Sequence, residues 1–386
     1  MTAAPQLHWH EGGADHSARW RSEAGLALPK RVQVADDALP ANTAYRLACE
    51  GTALLWRGDF QNARQLLQAL ARRADRKPRK ATPLPEDAAA PAHAFHLHRQ
   101  AKGQRARVLA MLLIPLEADY GVPLRRAPDL RQACGEAWGP ADGQRSVASL
   151  RELLGLIGAH EWRKKGVEIA ALGSPPNNRI HPYYGVFSPV RGEYLDLVAQ
   201  VPLPSTALAF DIGTGTGVIA ALLARRGVRR IVATDQDERA LACAHANLTR
   251  LGLAAQVEVV PADLFPSGQA PLIVCNPPWL PARPSSPVEH AIYDEDGRML
   301  RGFLAGLPAH LTERGEGWLI LSDLAEHLGL RTRVELLALI DGAGLKVLGR
   351  SDIRPRHPKA GDSSDPLAAA RSRELTSLWR LGVGEK

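Results

Sequence analysis

Asn276, Pro277, Pro278 and Trp279 follow directly after the apolar run of residues 271–275. Asparagine offers one acceptor oxygen, and a proline-rich backbone is rigid, so this tetrapeptide can hold hydrogen-bond acceptors beside a flat ring. Prolines also end strands, because they cannot donate to a sheet ladder. Taken alone, the motif fits a strand end as well as a reactive site. The residues that precede it help to distinguish these two alternatives.

A glycine-rich loop, DIGTGTG at residues 211–217, lies upstream of that motif. Its glycines permit a tight turn and a close approach of the backbone to a ligand. A dinucleotide fingerprint would need its last glycine where Val218 stands, so the G-x-G-x-G spacing does not fit that class. The spacing resembles the loop under S-adenosylmethionine in Rossmann-like methyltransferases. The resemblance implies that this loop contributes cofactor-binding residues, namely Asp211, Gly213, Thr214, Gly215 and Gly217.

Carboxylates follow the next two predicted strands. Asp235 ends the second strand about 20 residues beyond the loop, where a carboxylate can accept both ribose hydroxyl hydrogens. Asp237 lies past that strand end and is predicted to cap the next helix. Asp263 and Leu264 end the third strand, and the resemblance implies that they hold the adenine. A surface acid is the alternative for Asp263.

With such a cofactor bound, the tetrapeptide acquires a chemical role. The lone pair of an amide or an aromatic amine is delocalised and faces away from a productive attack. If the Asn276 side-chain oxygen and the Pro277 carbonyl accept the two N–H hydrogens, that lone pair is aimed at the sulfonium methyl. Trp279 offers a face for stacking a planar group. We therefore predict Asn276, Pro277 and Trp279 as catalytic residues of an N-methyltransferase acting on an sp² nitrogen, with Asn276 also at the cofactor.

Residues 181–386 resemble the "methyltransferase small" group, in which [ND]PP[FYW] follows the fourth strand. The segment GVFSPVRGEYLDLV at 185–198 resembles HemK-type protein glutamine methyltransferases, whose motif is usually NPPY. GVFS after a large N-terminal region also resembles RsmC-type ribosomal RNA guanine methyltransferases, which carry NPPF. Both resemblances imply S-adenosyl-L-methionine as the cofactor. Trp279 is the usual residue of neither branch, so the substrate is left open.

Three weaker patterns complete the candidate residues. Phe187 and Arg191 precede the glycine loop where the relatives place residues over the cofactor, although Phe187 fits a core position equally well. HAFHLH at 93–98 could place two histidines on one face of a strand, but no third ligand has metal spacing, so we predict no metal site. The cysteines lack paired spacing and are predicted to be reduced core residues; they stand at 49, 134, 243 and 275.

Composition and charge bear on location and partners. The 386 residues are 45% hydrophobic and 23% charged, a globular composition long enough for two domains. No apolar run approaches the roughly 20 residues of a membrane span, so we predict a cytoplasmic protein without a membrane partner. The formal net charge is +7, which favours partners that present phosphates. Basic residues concentrate at 71–80 and 354–359, each fitting a solvated loop or a nucleic-acid contact.

These features favour an exocyclic base amine of ribosomal RNA as the substrate. A protein glutamine amide is the main alternative, and a protein that binds the cofactor or RNA without turnover is a minor one. The sequence leaves open the methylated nucleotide or residue and the oligomeric state.

Periodicity predicts an α/β protein with two domains. Residues 1–180 read as a mixed α/β domain that is a candidate for substrate recognition. Residues 181–386 read as a Rossmann-like methyltransferase domain, with a seven-stranded, mostly parallel sheet whose last strand is antiparallel. Local predictions in the N-terminal half are a helix over 60–73, a mobile loop over 77–92, a buried strand over 107–117, a helix over 146–166 and a hairpin across the turn at 174–178.

Overall fold

The computed structural model describes residues 5–76, 91–284, 289, 292–356 and 367–384. The chain divides into two compact units, residues 1–87 with 96–161 and residues 88–95 with 162–386. None of the helices in the described ranges combines the length and hydropathy needed to cross a bilayer. Most of the predicted loop at 77–92 lies outside the described residues. So do the ends of both basic stretches, at 77–80 and 357–359.

The N-terminal half is a mixed sheet with helices, as its sequence pattern predicts. Its described strands form one six-stranded sheet in the order β1-β2-β6-β5-β4-β3. Strands β1 and β2 are antiparallel, as are β5 and β6, and the other neighbours are parallel. The elements are β1 (Gln6–Glu11), β2 (Ala14–Arg21), β3 (Arg31–Ala35), α1 (Ala41–Cys49), β4 (Thr52–Trp56), α2 (Phe60–Ala74), α3 (Pro91–Leu109), β5 (Leu112–Leu116), α4 (Arg131–Trp138), β6 (Ser146–Ser149) and α5 (Leu150–Lys165).

Helix α2 confirms the helix predicted over 60–73. Its start is fixed by the Asp59 side chain, which accepts from the Gln61 backbone N–H at 2.8 Å. Such a cap satisfies one of the free donors of the first turn. The apolar positions of the predicted face are all buried: Phe60, Ala63, Leu66, Leu67 and Leu70. The 3.6-residue period therefore identified the face that packs into the core.

Three local predictions were wrong in part. The strand predicted over 107–117 begins only at Leu112, because residues 107–109 finish helix α3. The helix predicted over 146–166 begins at Leu150, because residues 146–149 pair in the sheet as β6. Residues 93–98 are helical in α3, where the sequence suggested a strand. Residues 108–109 and 146–149 are buried although the first pair is helical and the second segment is a strand, so burial alone could not set the element type. In residues 93–98 only Phe95 is buried.

The C-terminal unit begins with a short hairpin and continues as a doubly wound sheet. The predicted hairpin is present with strands of only two residues, β7 (Val167–Glu168) and β8 (Arg179–Ile180). The following elements are α6 (Glu193–Gln200), β9 (Leu208–Ile212), α7 (Val218–Arg225), β10 (Arg230–Asp235), α8 (Glu238–Arg250), β11 (Val257–Pro261), β12 (Ala270–Cys275), α9 (Arg298–His310), β13 (Leu311–Ser322), α10 (Leu324–His327), α11 (Arg333–Gly342), β14 (Leu345–Ile353), α12 (Ala368–Arg371) and β15 (Thr376–Val383).

The main sheet confirms the predicted fold class. Within the described residues it has seven strands in the order β11-β10-β9-β12-β13-β15-β14. All neighbours are parallel except the last strand of the chain, β15, which is antiparallel to both β13 and β14. Alternate residues of β12 enter two core clusters: Leu272 and Val274 pack with α6, α7 and α8, while Ile273 and Cys275 pack with α9 and α11.

This topology positions the candidate residues. Strands β9, β10, β11, β12 and β13 run in one direction, so their carboxyl ends meet at one edge of the sheet. Loops at that edge carry the ligand sites of doubly wound folds. The glycine loop follows β9, Asp235 ends β10, Asp263 follows β11 and Asn276 follows β12. Four stretches of sequence thus reach one edge without being neighbours in the chain.

Candidate active site

The glycine loop is built by backbone geometry and by packing. Gly213 and Gly217 have φ angles of 71° and 78°, a region that other residues rarely adopt. A β-carbon on Gly217 would lie 3.2 Å from the Ala244 Cα, and one on Gly213 would lie 2.4 Å from the Met299 Cε. A β-carbon on Gly215 would meet nothing within 4 Å among the described residues. The middle of the loop is therefore open for a ligand, although Gly215, with a φ of 54°, shares the left-handed backbone of the two outer glycines.

Asp211 is the buried anchor of this loop. One carboxylate oxygen, Oδ2, accepts from the Thr214 hydroxyl at 2.7 Å and from the Ala220 backbone N–H at 3.0 Å. The other oxygen, Oδ1, is buried without a hydrogen-bond partner among the described residues. Complete burial raises the pKa of Asp211 to about 6 from an ordinary 3.8, and the two hydrogen bonds oppose that rise. An unsatisfied buried carboxylate oxygen favours a positively charged ligand nearby.

Asp235 links the glycine loop to the second strand. Its Oδ2 accepts from the Gly215 N–H at 3.0 Å, and its Oδ1 accepts from the Asp237 N–H at 3.0 Å. Burial raises the pKa of Asp235, and these backbone donors oppose the rise. Asp237 caps α8, as predicted, by accepting from the N–H groups of Arg239 and Ala240. The structure therefore separates the two acids, one at the loop and one at a helix start.

Asp263 and Leu264 lie after β11 and meet helix α9. The Asp263 carboxylate is 68% exposed and pairs with Arg298 at 3.2 Å. Leu264 has a φ of 76°, and the Thr234 hydroxyl donates to its carbonyl at 2.6 Å. A β-carbon on Gly302 of α9 would lie 2.7 Å from the Leu264 Cδ1. These contacts fix the backbone here, while the predicted adenine contacts of Asp263 and Leu264 stay predictions.

The motif after β12 is held by a hydrogen bond within itself. The indole Nε1–H of Trp279 donates to the Asn276 Oδ1 at 2.9 Å. An indole nitrogen only donates, so the atom that faces it must be the amide oxygen and not the amide nitrogen. Pro277 is buried, and Asn276 and Trp279 are both half-buried. The orientation of the Asn276 amide is therefore defined by a residue of its own motif, which the sequence did not reveal.

Arg191 lies against Trp279. Its guanidinium carbon is 5.4 Å from the centre of the indole ring. Two buried carboxylates hold the guanidinium, Glu193 and Glu374, both at 3.0 Å. The Ser322 hydroxyl donates to the same Glu374 oxygen at 2.7 Å. Arg191 was predicted to lie over the cofactor; its described contacts are with these carboxylates and with Trp279, and the cofactor contact stays a prediction.

Other candidates are placed less fully. Phe187 is 37% exposed and belongs to none of the core clusters that the described residues of this unit form, which argues against its alternative role as a core residue. Asp294 was not predicted; its buried carboxylate accepts from the Met299 and Leu300 N–H groups. It thereby fixes the start of α9, whose Met299 covers Gly213. An aspartate before a predicted helix is the signal that could have indicated it.

Within the described residues no group of histidine, cysteine, aspartate and glutamate side chains could hold a metal ion. All four cysteines are free, and Cys49 is exposed where a core position was expected. The site thus consists of an open glycine loop, the buried carboxylate of Asp211, the half-buried carboxylate of Asp235 and an oriented amide. This arrangement can hold a cationic, nucleoside-containing cofactor near an acceptor for N–H groups.

A parallel sheet of this order with such a loop defines a Rossmann-like cofactor-binding domain. Residues 179–333 match the family model of the methyltransferase small domain. The chain is 33% identical over 166 residues to a release factor glutamine methyltransferase of Cereibacter sphaeroides, covering 37% of this chain and 59% of that one.

A second group of relatives is named for methylation of transfer RNA. The chain is 33% identical over 141 residues to a tRNA1(Val) (adenine(37)-N6)-methyltransferase of Pedobacter heparinus, covering 33% of this chain and 60% of that one. A release factor glutamine methyltransferase of Shewanella oneidensis is 46% identical over 85 residues, 21% of this chain and 29% of its own. The chain thus spans less than two thirds of each of these relatives.

We predict that Asp211→Asn stabilises the protein at pH 8 and not at pH 4. Asp211 keeps its proton to a higher pH in the folded state than in the unfolded chain, so its contribution to stability is complete below pH 4 and is lost as the pH rises through about 6. A rise of about two pKa units corresponds to about 3 kcal/mol. Urea unfolding at both pH values measures the difference, with Asp341→Asn, an exposed position, as control. Parallel pH profiles for wild type and Asp211→Asn would contradict the assignment.

Proposed function

We propose that this protein is an S-adenosylmethionine-dependent N-methyltransferase that modifies an sp² nitrogen of a macromolecule. The observation that carries the proposal is the Trp279 to Asn276 hydrogen bond of 2.9 Å after β12. An amide oxygen has two lone pairs, and this bond uses one of them. The second is left to accept an N–H of a substrate, at the sheet edge that also carries the glycine loop.

The residues at the glycine loop fit the proposed cofactor. Bound S-adenosylmethionine supplies an electrophilic methyl group on a positively charged sulfonium. Two carboxylates, the buried Asp211 and the half-buried Asp235, give the loop a negative charge that attracts a cation. The Asp211 Oδ1 lacks a hydrogen-bond partner among the described residues, and the space at Gly215 is open among them. Asp235 would bind the ribose hydroxyls, Asp263 and Leu264 the adenine, and Phe187 would cover the cofactor.

The chain's own part in the reaction is orientation. Asn276 and the Pro277 carbonyl accept the two N–H hydrogens of the target nitrogen and turn its lone pair toward the methyl carbon. These acceptors become stronger partners as positive charge develops on the nitrogen, so they stabilise the transition state more than the ground state. Methyl transfer would leave the nitrogen with one proton in excess, and that N–H proton would leave to water. No strong base is needed for this step.

The proposed substrate is a base amine of RNA, including ribosomal RNA. A net charge of +7 supports a phosphate-bearing partner, and so do the relatives that are named tRNA adenine methyltransferases. The N-terminal unit would contribute to recognition of the RNA. An RNA substrate also supports the proposed cytoplasmic location. A protein glutamine amide is the second candidate, because the release factor glutamine methyltransferases match the same region.

The decisive experiment for this proposal measures transfer of a labelled methyl group from S-adenosylmethionine. Purified protein is given RNA from a strain that lacks its gene, or a peptide that contains glutamine. We expect label in RNA with wild-type protein and almost none with Asn276→Ala, although Asn276→Ala binds the cofactor normally, because the lost contact forms chiefly in the transition state. Label in the peptide and not in RNA would establish the second candidate. Near wild-type turnover by Asn276→Ala would show that the motif only ends a strand.

We predict that Asp235→Ala weakens S-adenosylmethionine binding by about 1–3 kcal/mol, the range for losing a charged hydrogen-bond partner. Titration calorimetry measures this affinity. Asp237→Ala is the matched control, because it removes a helix cap and costs stability while the affinity stays the same. Unchanged affinity in Asp235→Ala, or equal losses in both variants, would exclude the proposed ribose contact.

We predict that Trp279→Phe lowers kcat and leaves KM for RNA and cofactor affinity unchanged. Phenylalanine keeps an aromatic ring but has no N–H, so the Asn276 oxygen loses the donor that orients it. A neutral hydrogen bond is worth about 1 kcal/mol, so kcat should fall roughly fivefold. Steady-state kinetics separate the two parameters. A rise in KM at constant kcat would assign Trp279 to substrate stacking alone.

A further inference from the structure

A cavity outside the glycine loop lies beside the segment that follows Trp279. It has a volume of about 360 Å³ and lies between α9 and α11. Its apolar wall includes Pro281, Leu300 and Leu339. Its charged lining consists of Arg301 and Arg331 together with Asp296 and Glu335. Pro281 is only two residues beyond Trp279, at most about 7 Å of extended chain. The cavity is therefore within reach of a substrate bound at Asn276.

Arg331 is a buried charge that forms no ion pair or hydrogen bond with a carboxylate of the described residues. It is 9% exposed, and its Nε and Nη2 are buried with no hydrogen-bond partner among the described residues. Burial lowers the pKa of Arg331, but a guanidinium stays protonated in proteins. A buried guanidinium whose N–H groups have no acceptor destabilises the folded protein. A bound anion would supply the missing acceptors, so a buried guanidinium of this kind is suited to an anion-binding site.

The nearby carboxylates are engaged elsewhere. Glu326, Asp294 and Glu335 all act on the charge of Arg331, although none is hydrogen-bonded to it. Their oxygens have other donors: Arg333 Nε at 2.8 Å for Glu326, the Met299 and Leu300 N–H groups at 3.0 and 3.1 Å for Asp294, and the Thr332 N–H at 2.6 Å for Glu335. The charge of Arg331 is thus moderated at a distance, and its hydrogen-bonding capacity is left for a ligand.

We propose that this cavity is a subsite for a phosphate-bearing nucleotide of the substrate, with Arg331 and Arg301 on the phosphate and the apolar wall against its sugar or base. The proposal rests on the proposed function and names RNA as its substrate. A guanidinium matches a phosphate with two parallel N–H donors. Arg301 is exposed and donates from Nε to the Asp296 carbonyl, which holds it at the cavity. The volume lies near the lower end of the range for small-ligand sites, about 300–1,000 Å³, which suits one nucleotide.

Uridine monophosphate is the probe, with uridine to test the phosphate and N-acetylglutamate to test a carboxylate. The full chain is saturated with S-adenosylhomocysteine so that the cofactor site cannot bind the probe. We expect calorimetry to detect the monophosphate, with uridine and N-acetylglutamate at least tenfold weaker. Arg331→Met should weaken the monophosphate at least tenfold. Arg314→Met makes the same charge change at an exposed position near the start of β13, at the opposite edge of the sheet, and should not alter it.

Arg331→Met should melt no lower than wild type, because it removes an unpaired buried charge and keeps an apolar stem. If it does not fold, Arg301→Met replaces an exposed residue of the same cavity and should weaken the monophosphate severalfold. In methyl transfer, both variants should raise KM for RNA, while kcat and cofactor affinity stay the same. Their KM effect separates this subsite from the Asn276 amide, whose loss lowers kcat.

Equal monophosphate affinity in wild type and in the variants would overturn the subsite. Tighter binding of N-acetylglutamate than of the monophosphate would also overturn it, in favour of a protein carboxylate. Arginine-dependent binding of the monophosphate by a protein that methylates no RNA would support a nucleotide site and overturn the proposed substrate. Methylation of RNA with an unchanged KM in Arg331→Met would leave the proposed function intact and reject the subsite.

Discussion

One buried carboxylate holds the candidate site together. Asp211 ends β9, and its Oδ2 joins the glycine loop, through Thr214, to the first turn of α7, through Ala220. A charged group in a fully buried position is costly, and its raised pKa measures that cost. The arrangement therefore stores an unfavourable charge where a cationic ligand would compensate for it. Strained or unsatisfied groups of this kind are typical of binding sites, where stability is traded for affinity.

The position of the motif at residues 276–279 depends on a series of side-chain contacts. Glu374, just before β15, holds Arg191, Arg191 covers one face of Trp279, and Trp279 orients Asn276. Each contact limits the freedom of the next side chain, so an amide that is only half-buried has a defined direction. The HemK-type and RsmC-type families that this sequence resembles usually carry tyrosine or phenylalanine at the position of Trp279. Neither of those rings has an indole N–H. In this chain an aromatic residue can thus serve both as a surface and as a hydrogen-bond donor.

The relatives divide between RNA and protein substrates, so the methyltransferase small domain does not fix the substrate. Both kinds of target present a planar nitrogen with two hydrogens, and one oriented amide can accept from either. Selection must come from contacts beyond the reacting group. The cavity beside Arg331, which we propose as a source of such contacts, lies in the same unit as residues 276–279.

The sequence by itself determined the features that depend on local pattern. Periodicity located α2 and the strands of the doubly wound sheet, and the placement of Asp237 between a strand and a helix identified a cap. The glycine spacing and the motif at 276–279 indicated a methyltransferase, because each depends only on the types and spacing of residues that are neighbours in the chain. Where a run is buried in either form, as in residues 108–109 and 146–149, the local pattern could not choose between helix and strand.

Only the tertiary structure decided the contacts between residues that are distant in the chain. Arg191 and Glu374 are 183 residues apart, and no spacing rule connects them. The unpaired guanidinium of Arg331 is visible only after each nearby carboxylate is seen to bond elsewhere. Burial, and with it the raised pKa of Asp211, is a property of the packed core and not of the residue type. The physical reason is that desolvation and long-range pairing depend on which surfaces meet when the sheet is assembled, and a linear pattern does not contain that information.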